Sequence, residues 1–370
     1  MKLRLVQLFK HAAYGFSFFC ILTVLGSFHR SDKNYDHSLT LLDDNPRFRR
    51  AILNSTPERS KVLLEREGPL VELGPTVPQR LAKDVYISVK TTRKYHAQRL
   101  GDILDTWFLL APENVYFFTD STDSAIDQAT GGHLIQTNCA STHSRQALNC
   151  KMNAELEHFL DSGRSWMCHF DDDNYVNVPQ LIRMLGNYDP RRDWYLGRPS
   201  TRGPIDIVDP QGEPAKKVKF WFATGGAGFC LSKSLVTKMA PYVRDGKFVA
   251  LGDKIRLPDD VTLGYLIEHL LDKRLIVVDK LHSHLESMRL VRLDQLHEQI
   301  SLSAGSYNDQ KKNVVAVPQL FTDAEDPQHF RSLHCFLFPK SRICAGRSPL
   351  PPTPTSPDTE ETPLADMDFR

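Results

Sequence analysis

The sequence predicts an α/β fold with a mixed, mainly parallel sheet, and two observations carry this prediction. Residues 85–89 (VYISV) and 115–118 (VYFF) have the β-branched and aromatic composition of buried strands. Between them, apolar residues recur at helical spacing, at positions 100, 103, 104, 107 and 108. A strand, a helix and a strand in this order form a βαβ unit, whose two strands run parallel.

The alternation continues along the chain. The patterns predict a helix at 151–160, a strand at 166–170, a helix at 178–185, and strands at 194–196 and 275–278. In sheets of this kind, ligands gather at the carboxyl ends of the strands. Candidate site residues are therefore expected directly after the predicted strands.

Composition limits the class of protein. The chain has 370 residues, of which 41% are hydrophobic, as is typical of a globular protein with a sizeable core. Its formal net charge is +1, so the overall charge gives no support to a nucleic-acid partner, and none is expected.

The amino-terminal segment has the pattern of a membrane anchor. Lys2, Arg4 and Lys10 precede an apolar run at 12–28, which is close to the minimum length of a membrane-spanning helix. The basic flank is expected in the cytosol, which gives a single-pass type II topology. A cleaved signal peptide is the alternative, but no convincing small-residue cleavage site follows the run.

We therefore expect five segments. They are a cytoplasmic tail at 1–11, a transmembrane signal anchor at 12–28, a lumenal stem at 29–82, a folded domain at 83–345 and a disordered Pro-rich tail at 346–370. Within the stem, Asn54 begins an N-glycosylation acceptor, Asn54-Ser55-Thr56. Residues 47–50 (RFRR) resemble a site for a furin-type processing protease that would cut after Arg50, although basic clusters of this kind are usually a solvated linker.

The cysteines agree with a lumenal location. Cys20 lies in the apolar run, and the six others form an even set that suits an oxidising compartment: Cys139, Cys150, Cys168, Cys230, Cys335 and Cys344. Six cysteines allow about 15 pairings. Proximity favours 139 with 150, 335 with 344 and, for the remaining two, 168 with 230. A zinc site is the alternative, but no paired Cys-x-x-Cys spacing occurs.

The most informative run lies at 166–173 (WMCHFDDD), where Asp171, Asp172 and Asp173 follow a predicted buried strand. Three adjacent carboxylates repel one another unless a cation lies among them. Hard oxygen ligands suit Mg²⁺ or Mn²⁺, so the run indicates a metal and diphosphate site. The alternative is a solvated acidic turn that caps the next helix.

Two basic and glycine-rich segments add candidate contacts. Lys90, Thr91, Thr92 and Arg93 follow the first strand, and these donors, together with Arg99 on the next helix, could hold a phosphate or a nucleotide edge. Surface charge on a loop is the alternative. Residues 219–229 (KFWFATGGAGF) combine an aromatic strand with a glycine turn, which suggests either close packing beside a sugar or simply core.

Two further segments carry acid–base or metal chemistry. Asp259 and Asp260 begin an apolar-faced helix, where one could cap the helix and the other could project into the site as a general base. His282 and His284 follow the last predicted strand, and in an extended segment residues two apart point to the same face. A metal at Asp173 would favour one of these histidines as a second ligand.

Taken together, seven segments resemble the fringe glycosyltransferases. They are residues 89–92 (VKTT), 138–139 (NC), 150–152 (CKM), 168–177 (CHFDDDNYVN), 220–230 (FWFATGGAGFC), 256–260 (RLPDD) and 282–286 (HSHLE). The ordered combination spans about residues 83–344 and is far more specific than the acidic triplet alone.

The resemblance implies a GT-A-type (Rossmann-like) fold in a type II protein of the Golgi membrane. It also implies transfer of N-acetylglucosamine from UDP-GlcNAc to O-linked fucose on EGF-like repeats of Notch receptors and their ligands. The β-1,3 linkage would form with inversion and require Mn²⁺, and the product would modulate Notch signalling.

Carried onto this sequence, the resemblance assigns Asp173 and His284 to the metal and Arg99 and Asp172 to the nucleotide sugar. Asp260 becomes the catalytic base, and the disulfides follow the proximity pairing. The chain departs from the family pattern after Cys344, where Ala345 and a long tail replace a Cys-Pro ending, and at Val261, where some members have cysteine.

Two rival functions remain at this point. One is a different β-1,3-glycosyltransferase, for example one that uses UDP-galactose. The other is a noncatalytic lumenal or secreted modulator that binds Notch. The joint presence of a base candidate and metal-ligand candidates argues against simple binding, which needs neither.

Overall fold

The computed structural model describes residues 79–209, 216–308 and 311–350. The predicted cytoplasmic tail, anchor, Asn54, Arg50, nearly all of the stem and residues 351–370 lie outside these ranges. Within them, no helix is both long and apolar enough to span a bilayer. At the start of the predicted tail, the Leu350 amide donates to the carbonyl of Gln319 at 2.8 Å.

The strands are short and distributed along the whole described region. They are β1 (Val85–Lys90), β2 (Val115–Thr119), β3 (Leu134–Gln136), β4 (Trp166–Asp171), β5 (Asn174–Val176), β6 (Tyr195–Gly197), β7 (Ile205–Val208), β8 (Lys217–Phe220), β9 (Phe229–Ser232), β10 (Leu275–Val277), β11 (Ser301–Ser303), β12 (Gly305–Asn308) and β13 (Lys311–Asn313).

The helices lie between these strands and on both sides of the main sheet. They are α1 (Gln79–Lys83), α2 (Gly101–Asp105), α3 (Ser124–Ala129), α4 (Arg145–Ser162), α5 (Val178–Leu185), α6 (Lys233–Val243), α7 (Lys247–Ile255), α8 (Asp259–Gly264) and α9 (Phe330–Leu337). A π-helical turn, His96–Leu100, leads into α2, and another, Tyr265–Leu270, extends α8.

Seven strands form the central sheet in the order β10-β6-β9-β4-β1-β2-β3. Within this sheet β9 is antiparallel to both of its neighbours, and the other pairs are parallel. The prediction of a mixed, mainly parallel sheet is confirmed. Because β9 is reversed, its amino end lies at the edge where the parallel strands have their carboxyl ends.

The sheet is covered on both faces. Along β1, Val85, Ile87 and Val89 pack into one apolar cluster, and Tyr86 packs into the other. Side chains alternate between the two faces of a strand. The predicted apolar runs therefore reflect burial on both faces, which parallel strands require.

The predicted elements differ from the observed ones mainly at their ends. The helix predicted at 151–160 is the longer α4, because the Ser144 hydroxyl caps its start by accepting from the Ala147 amide and Gly163 ends it in a left-handed conformation (φ 72°). The predicted pattern at 100–108 corresponds to α2 followed by a 3₁₀ turn, Trp107–Leu110.

The three disulfides predicted by proximity are present: Cys139–Cys150, Cys168–Cys230 and Cys335–Cys344. Cys168 and Cys230 lie opposite each other on β4 and β9, so this bond fastens the reversed strand to the centre of the sheet. These six sulfur atoms are therefore not zinc ligands.

Candidate active site

The acidic triplet lies where the sequence predicted it, at the carboxyl end of a central strand. Asp171 ends β4, and Asp172 and Asp173 form the turn to β5. The Asp172 amide donates to the carbonyl of Lys90 at 3.1 Å, and the Asp173 carbonyl accepts from the Ala304 amide at 2.9 Å. Backbone contacts thus fix the turn, and its three carboxylates have different sets of partners.

Asp172 is paired with Arg99, the other residue that the resemblance assigns to the nucleotide sugar. The Arg99 guanidinium donates to Asp172 at 2.5 Å, and the Thr91 hydroxyl donates to the other carboxylate oxygen at 2.7 Å. The same guanidinium stacks on the Tyr95 ring, 3.8 Å from its centroid. Burial raises the pKa of Asp172, and Arg99 opposes that rise.

Asp173 and His284 face each other with unmet hydrogen-bonding capacity. Asp173 Oδ2 lies 3.8 Å from His284 Nδ1 and 3.4 Å from the Arg99 guanidinium. Within the described residues, Asp173 Oδ1 and His284 Nδ1 are buried without a hydrogen-bond partner. Burial and the neighbouring Asp171 raise the pKa of Asp173 to about 8, and burial lowers the pKa of His284.

This pair fits a cation. A divalent ion between them would stabilise the ionised form of the Asp173 carboxylate. It would also accept the free lone pair of a neutral His284 imidazole. In the part of the chain that the structure describes, no cluster of three or more His, Cys, Asp or Glu side chains could hold a metal. Asp173 and His284 could therefore supply two ligands, and the others would have to come from substrate or solvent.

Asp171 has a different environment, because cations hold it from two sides. Lys90 Nζ lies 3.2 Å and His169 Nε2 lies 3.6 Å from its carboxylate. Behind it, His169 Nδ1 contacts Glu155 at 2.6 Å, and both side chains are fully buried. Burial alone would lower the pKa of His169, but the Glu155 carboxylate outweighs it and raises that pKa to about 9.

The two carboxylates at the start of α8 also differ from each other. Pro258 occupies the helix cap position, so the expectation that one aspartate caps the helix is wrong. Asp259 accepts from Lys90 Nζ at 2.7 Å. Asp260 accepts from the backbone amides of Gly225 at 3.1 Å and Val261 at 2.8 Å. Burial and the adjacent Asp259 raise the pKa of Asp260 to about 6.

The glycine turn reaches this site because β9 is reversed. The turn Gly225–Ala227 directly precedes β9 and so lies beside the carboxyl end of β4. Gly228 has φ +83°, and a Cβ there would lie 2.3 Å from the Phe170 ring. Only glycine fits this position without displacing the core. The predicted role of the turn as a close-packed element beside the site is consistent with this geometry.

Two other interpretations of sequence patterns do not hold. A shared face for His282 and His284 requires an extended segment, and residues 282–286 are not a strand. The His282 ring contacts Gln299 at 2.9 Å and Glu286 at 3.2 Å, whereas His284 Nδ1 lies 3.8 Å from Asp173. Lys90 is not a free phosphate donor, because two carboxylates already hold it.

The sequence analysis gave no role to two site residues, Glu155 and His169. Glu155 lies in α4, and its carboxylate also accepts from the Ser88 hydroxyl of β1 at 2.6 Å. A charged residue on the apolar side of a helix is the signal that could have indicated a buried ion pair. Its partner could not be read from the pattern, because the contact depends on how α4 packs on the sheet.

Phe220 and Phe222 are core residues, with 1% and 5% of their surface exposed. The alternative of plain core is therefore correct for these two rings, and neither offers a face to a sugar. A buried acidic cluster beside a desolvated carboxylate, at the carboxyl edge of a mainly parallel sheet, is typical of an enzyme that binds a charged substrate and moves a proton.

Comparison with known proteins identifies the family. A model of the Fringe-like family matches residues 81–341, and this chain belongs to the fringe family. The Drosophila melanogaster protein "Fringe glycosyltransferase" is 52% identical over 275 residues, which are 74% of this chain and 66% of its own length. The human protein "Beta-1,3-N-acetylglucosaminyltransferase lunatic fringe" is 47% identical over 71% of this chain and 69% of its own.

A third relative gives the same picture. The Gallus gallus protein "Beta-1,3-N-acetylglucosaminyltransferase radical fringe" is 45% identical over 72% of both chains. Among solved structures, the apo form of mouse xyloside xylosyltransferase 1 covers 53% of this chain and 85% of its own, with 11% identity and a TM-score of 0.32. That likeness is too weak to carry an argument.

The Glu155–His169 pair predicts a pH dependence of stability. Because the pKa of His169 in the folded state, about 9, lies above its ordinary value of 6.5, the stabilisation is complete below pH 6.5. It is lost as the pH rises through 9. We expect the free energy of unfolding to fall over this interval by at most about 3 kcal/mol, measured by urea denaturation.

The Glu155→Gln variant should lack most of this slope, because the amide cannot hold the imidazolium. Asp161→Asn is the matched control and should keep the slope, because Asp161 lies on the same helix as Glu155 but forms an exposed pair with Arg244. Equal slopes in the wild type and in Glu155→Gln would contradict a charged His169.

Proposed function

We propose that this chain is an inverting glycosyltransferase that adds N-acetylglucosamine in β-1,3 linkage from UDP-GlcNAc to O-linked fucose on EGF-like repeats. The observation that carries the proposal is the desolvated Asp260 at the same sheet edge as the Asp172–Arg99 pair. Membership of the fringe family supports the choice of donor and acceptor, because relatives are named β-1,3-N-acetylglucosaminyltransferases.

The acceptors in this proposal are Notch-type receptors and their ligands, whose signalling the added sugar would modulate. The proposed location is the Golgi membrane, with the catalytic region in the lumen. Three disulfides in the described region support an oxidising compartment. The sequence pattern at 12–28 supports a type II anchor.

The proposed chemistry follows from the environment of Asp260. Its raised pKa makes the carboxylate a stronger base than an exposed aspartate, and it is still ionised at neutral pH. Asp260 takes the proton from the fucose hydroxyl as that oxygen bonds to the anomeric carbon. The bond between that carbon and the diphosphate breaks on the opposite face, and UDP departs with the electron pair. One displacement therefore inverts the anomeric centre.

Arg99 and Asp172 are the proposed contacts to the nucleotide sugar. Their ion pair is fixed by Thr91 and Tyr95, so the guanidinium is held at the sheet edge before the donor arrives. Asp173 and His284 are the proposed ligands of Mn²⁺, on the strength of their two unpartnered buried atoms. A bound Mn²⁺ would offset the negative charge of the diphosphate leaving group.

The direct test is a transfer assay with purified chain, Mn²⁺ and an O-fucosylated EGF domain. We expect incorporation of radiolabel from UDP-GlcNAc and not from UDP-galactose, and no incorporation without a divalent cation. Use of UDP-galactose alone would make the chain a different β-1,3-glycosyltransferase. Tight binding of the EGF domain without any transfer would favour the noncatalytic modulator.

Asp260→Asn should reduce kcat by at least about 100-fold while it leaves UDP binding unchanged, because the amide cannot accept the proton. In the wild type, kcat/KM should fall as the pH drops below about 6, where Asp260 becomes protonated. Radiolabelled transfer across this pH range measures both effects. Asp253→Asn, at an exposed position of α7, is the control. Normal turnover by Asp260→Asn would exclude Asp260 as the base.

Gly305 offers a test of His284 as a metal ligand in which the histidine is moved but not replaced. A Cβ at Gly305 would lie 2.9 Å from Cβ of His284, so alanine must displace that histidine. We expect Gly305→Ala to weaken Mn²⁺ binding by at least about tenfold, measured by electron paramagnetic resonance. Gly203→Ala is the matched control, because its Cβ would meet nothing within 4 Å. Equal affinities in the two variants would remove His284 from the ligand set.

A further inference from the structure

Asp259 and Asp260 are adjacent, and both belong to the first turn of α8. The positive end of the helix dipole favours a negative charge on either of them. Asp259 is 4% exposed, and the Asp260 oxygens accept from backbone amides. Position on the helix therefore does not decide which of the two carboxylates can accept a proton.

Lys90 makes the distinction between them. Its ammonium group lies 2.7 Å from Asp259 Oδ2 and 3.2 Å from Asp171 Oδ1, and its side chain is 12% exposed. Asp171 is directly opposite Lys90 in the register of β1 and β4. The lysine thus links the first residue of α8 to the carboxyl edge of the sheet.

The two carboxylates have different partners. Asp259 Oδ2 accepts from the Lys90 ammonium at 2.7 Å, so an oxygen that could take a substrate proton is already engaged by a cation. Asp260 receives neutral amide donors from Gly225 and Val261, which fix its orientation and leave it without a cation in direct contact among the described residues.

We infer that Lys90 is a positioning residue that holds Asp259 out of the reaction and leaves Asp260 as the single base. The inference rests on the proposed function, since it assigns the proton transfer of that reaction to one of two neighbouring carboxylates. It also accounts for a lysine at the end of β1 whose ammonium group lies between two carboxylates.

Charged and titratable groups from several elements surround Asp260. They are Lys90 on β1, His169 and Asp171 on β4, Tyr195 on β6 and Asp259 on α8 itself. Among the charged ones, Asp259 raises the pKa of Asp260 and Lys90 lowers it. Removal of either charge should therefore move the pH dependence of turnover in a known direction.

The test is the rising limb of kcat/KM against pH, expected near pH 6 in the wild type. Lys90→Met keeps the length of the side chain and removes the charge, so the rising limb should shift to higher pH by about one unit. Asp259→Asn should shift the rising limb to lower pH by a similar amount. In the double variant Lys90→Met/Asp259→Asn, the two shifts oppose each other, and the limb should return towards pH 6.

If Lys90 has only a structural role, a different pattern is expected. In that case Lys90→Met lowers kcat without moving the rising limb of kcat/KM, and the double variant has the same kcat as Lys90→Met. Lys254→Met, on the exposed face of α7, is the control and should resemble the wild type. If Lys90→Met fails to fold, Lys90→Gln takes its place, because the amide can still donate to Asp259 but carries no charge, and the rising limb should again move to higher pH.

The outcomes separate this inference from the proposed function. Absence of transfer by the wild type overturns the proposed function, and the role of Lys90 falls with it. A wild-type limb near pH 6 that neither Lys90→Met nor Asp259→Asn moves overturns the role of Lys90 alone.

Discussion

The Lys90 ammonium lies between the carboxylates of Asp171 and Asp259, and the arrangement of the whole site depends on this contact. Carboxylates buried close together repel one another, and each is costly to ionise away from water. The cations that offset them are Lys90, Arg99 and, from behind, His169. The acidic side chains therefore differ chemically according to whether a cation contacts them. The unpaired atoms of Asp173 and His284 are the part of this balance that a divalent ion would complete.

The central sheet brings these charged residues together. Parallel strands bring their carboxyl ends to one edge, so Lys90 and Asp171 lie opposite each other in register. The reversed β9 brings the turn Gly225–Ala227 to the same edge, and the amide of Gly225 reaches Asp260. The Cys168–Cys230 disulfide fastens β9 to β4. A single reversal in an otherwise parallel sheet thus brings the glycine turn to the site, although it lies more than fifty residues after the acidic triplet.

Much of the site was predictable, for reasons that particular residues make clear. Strands β1, β2 and β4 were predicted closely because burial on both faces leaves a continuous apolar run, and the triplet after β4 marked the site edge. Lys90 was misinterpreted as a phosphate donor, since the sequence shows a free charge and not its partners. The predicted aspartate cap of α8 was also wrong, because Pro258 occupies the cap position and Lys90 holds Asp259.

By itself, the sequence determined the order of the elements, the family and the presence of acidic residues at the end of β4. These follow from apolar periodicity and from motifs within short stretches of chain. Only the tertiary structure decided which carboxylate is paired, which is desolvated and which faces an imidazole. The physical reason is that these ion pairs join distant residues, as Lys90 and Asp259 do across 169 positions. Burial and charge at such contacts set the pKa values, and neither is encoded by the neighbours of a residue along the chain.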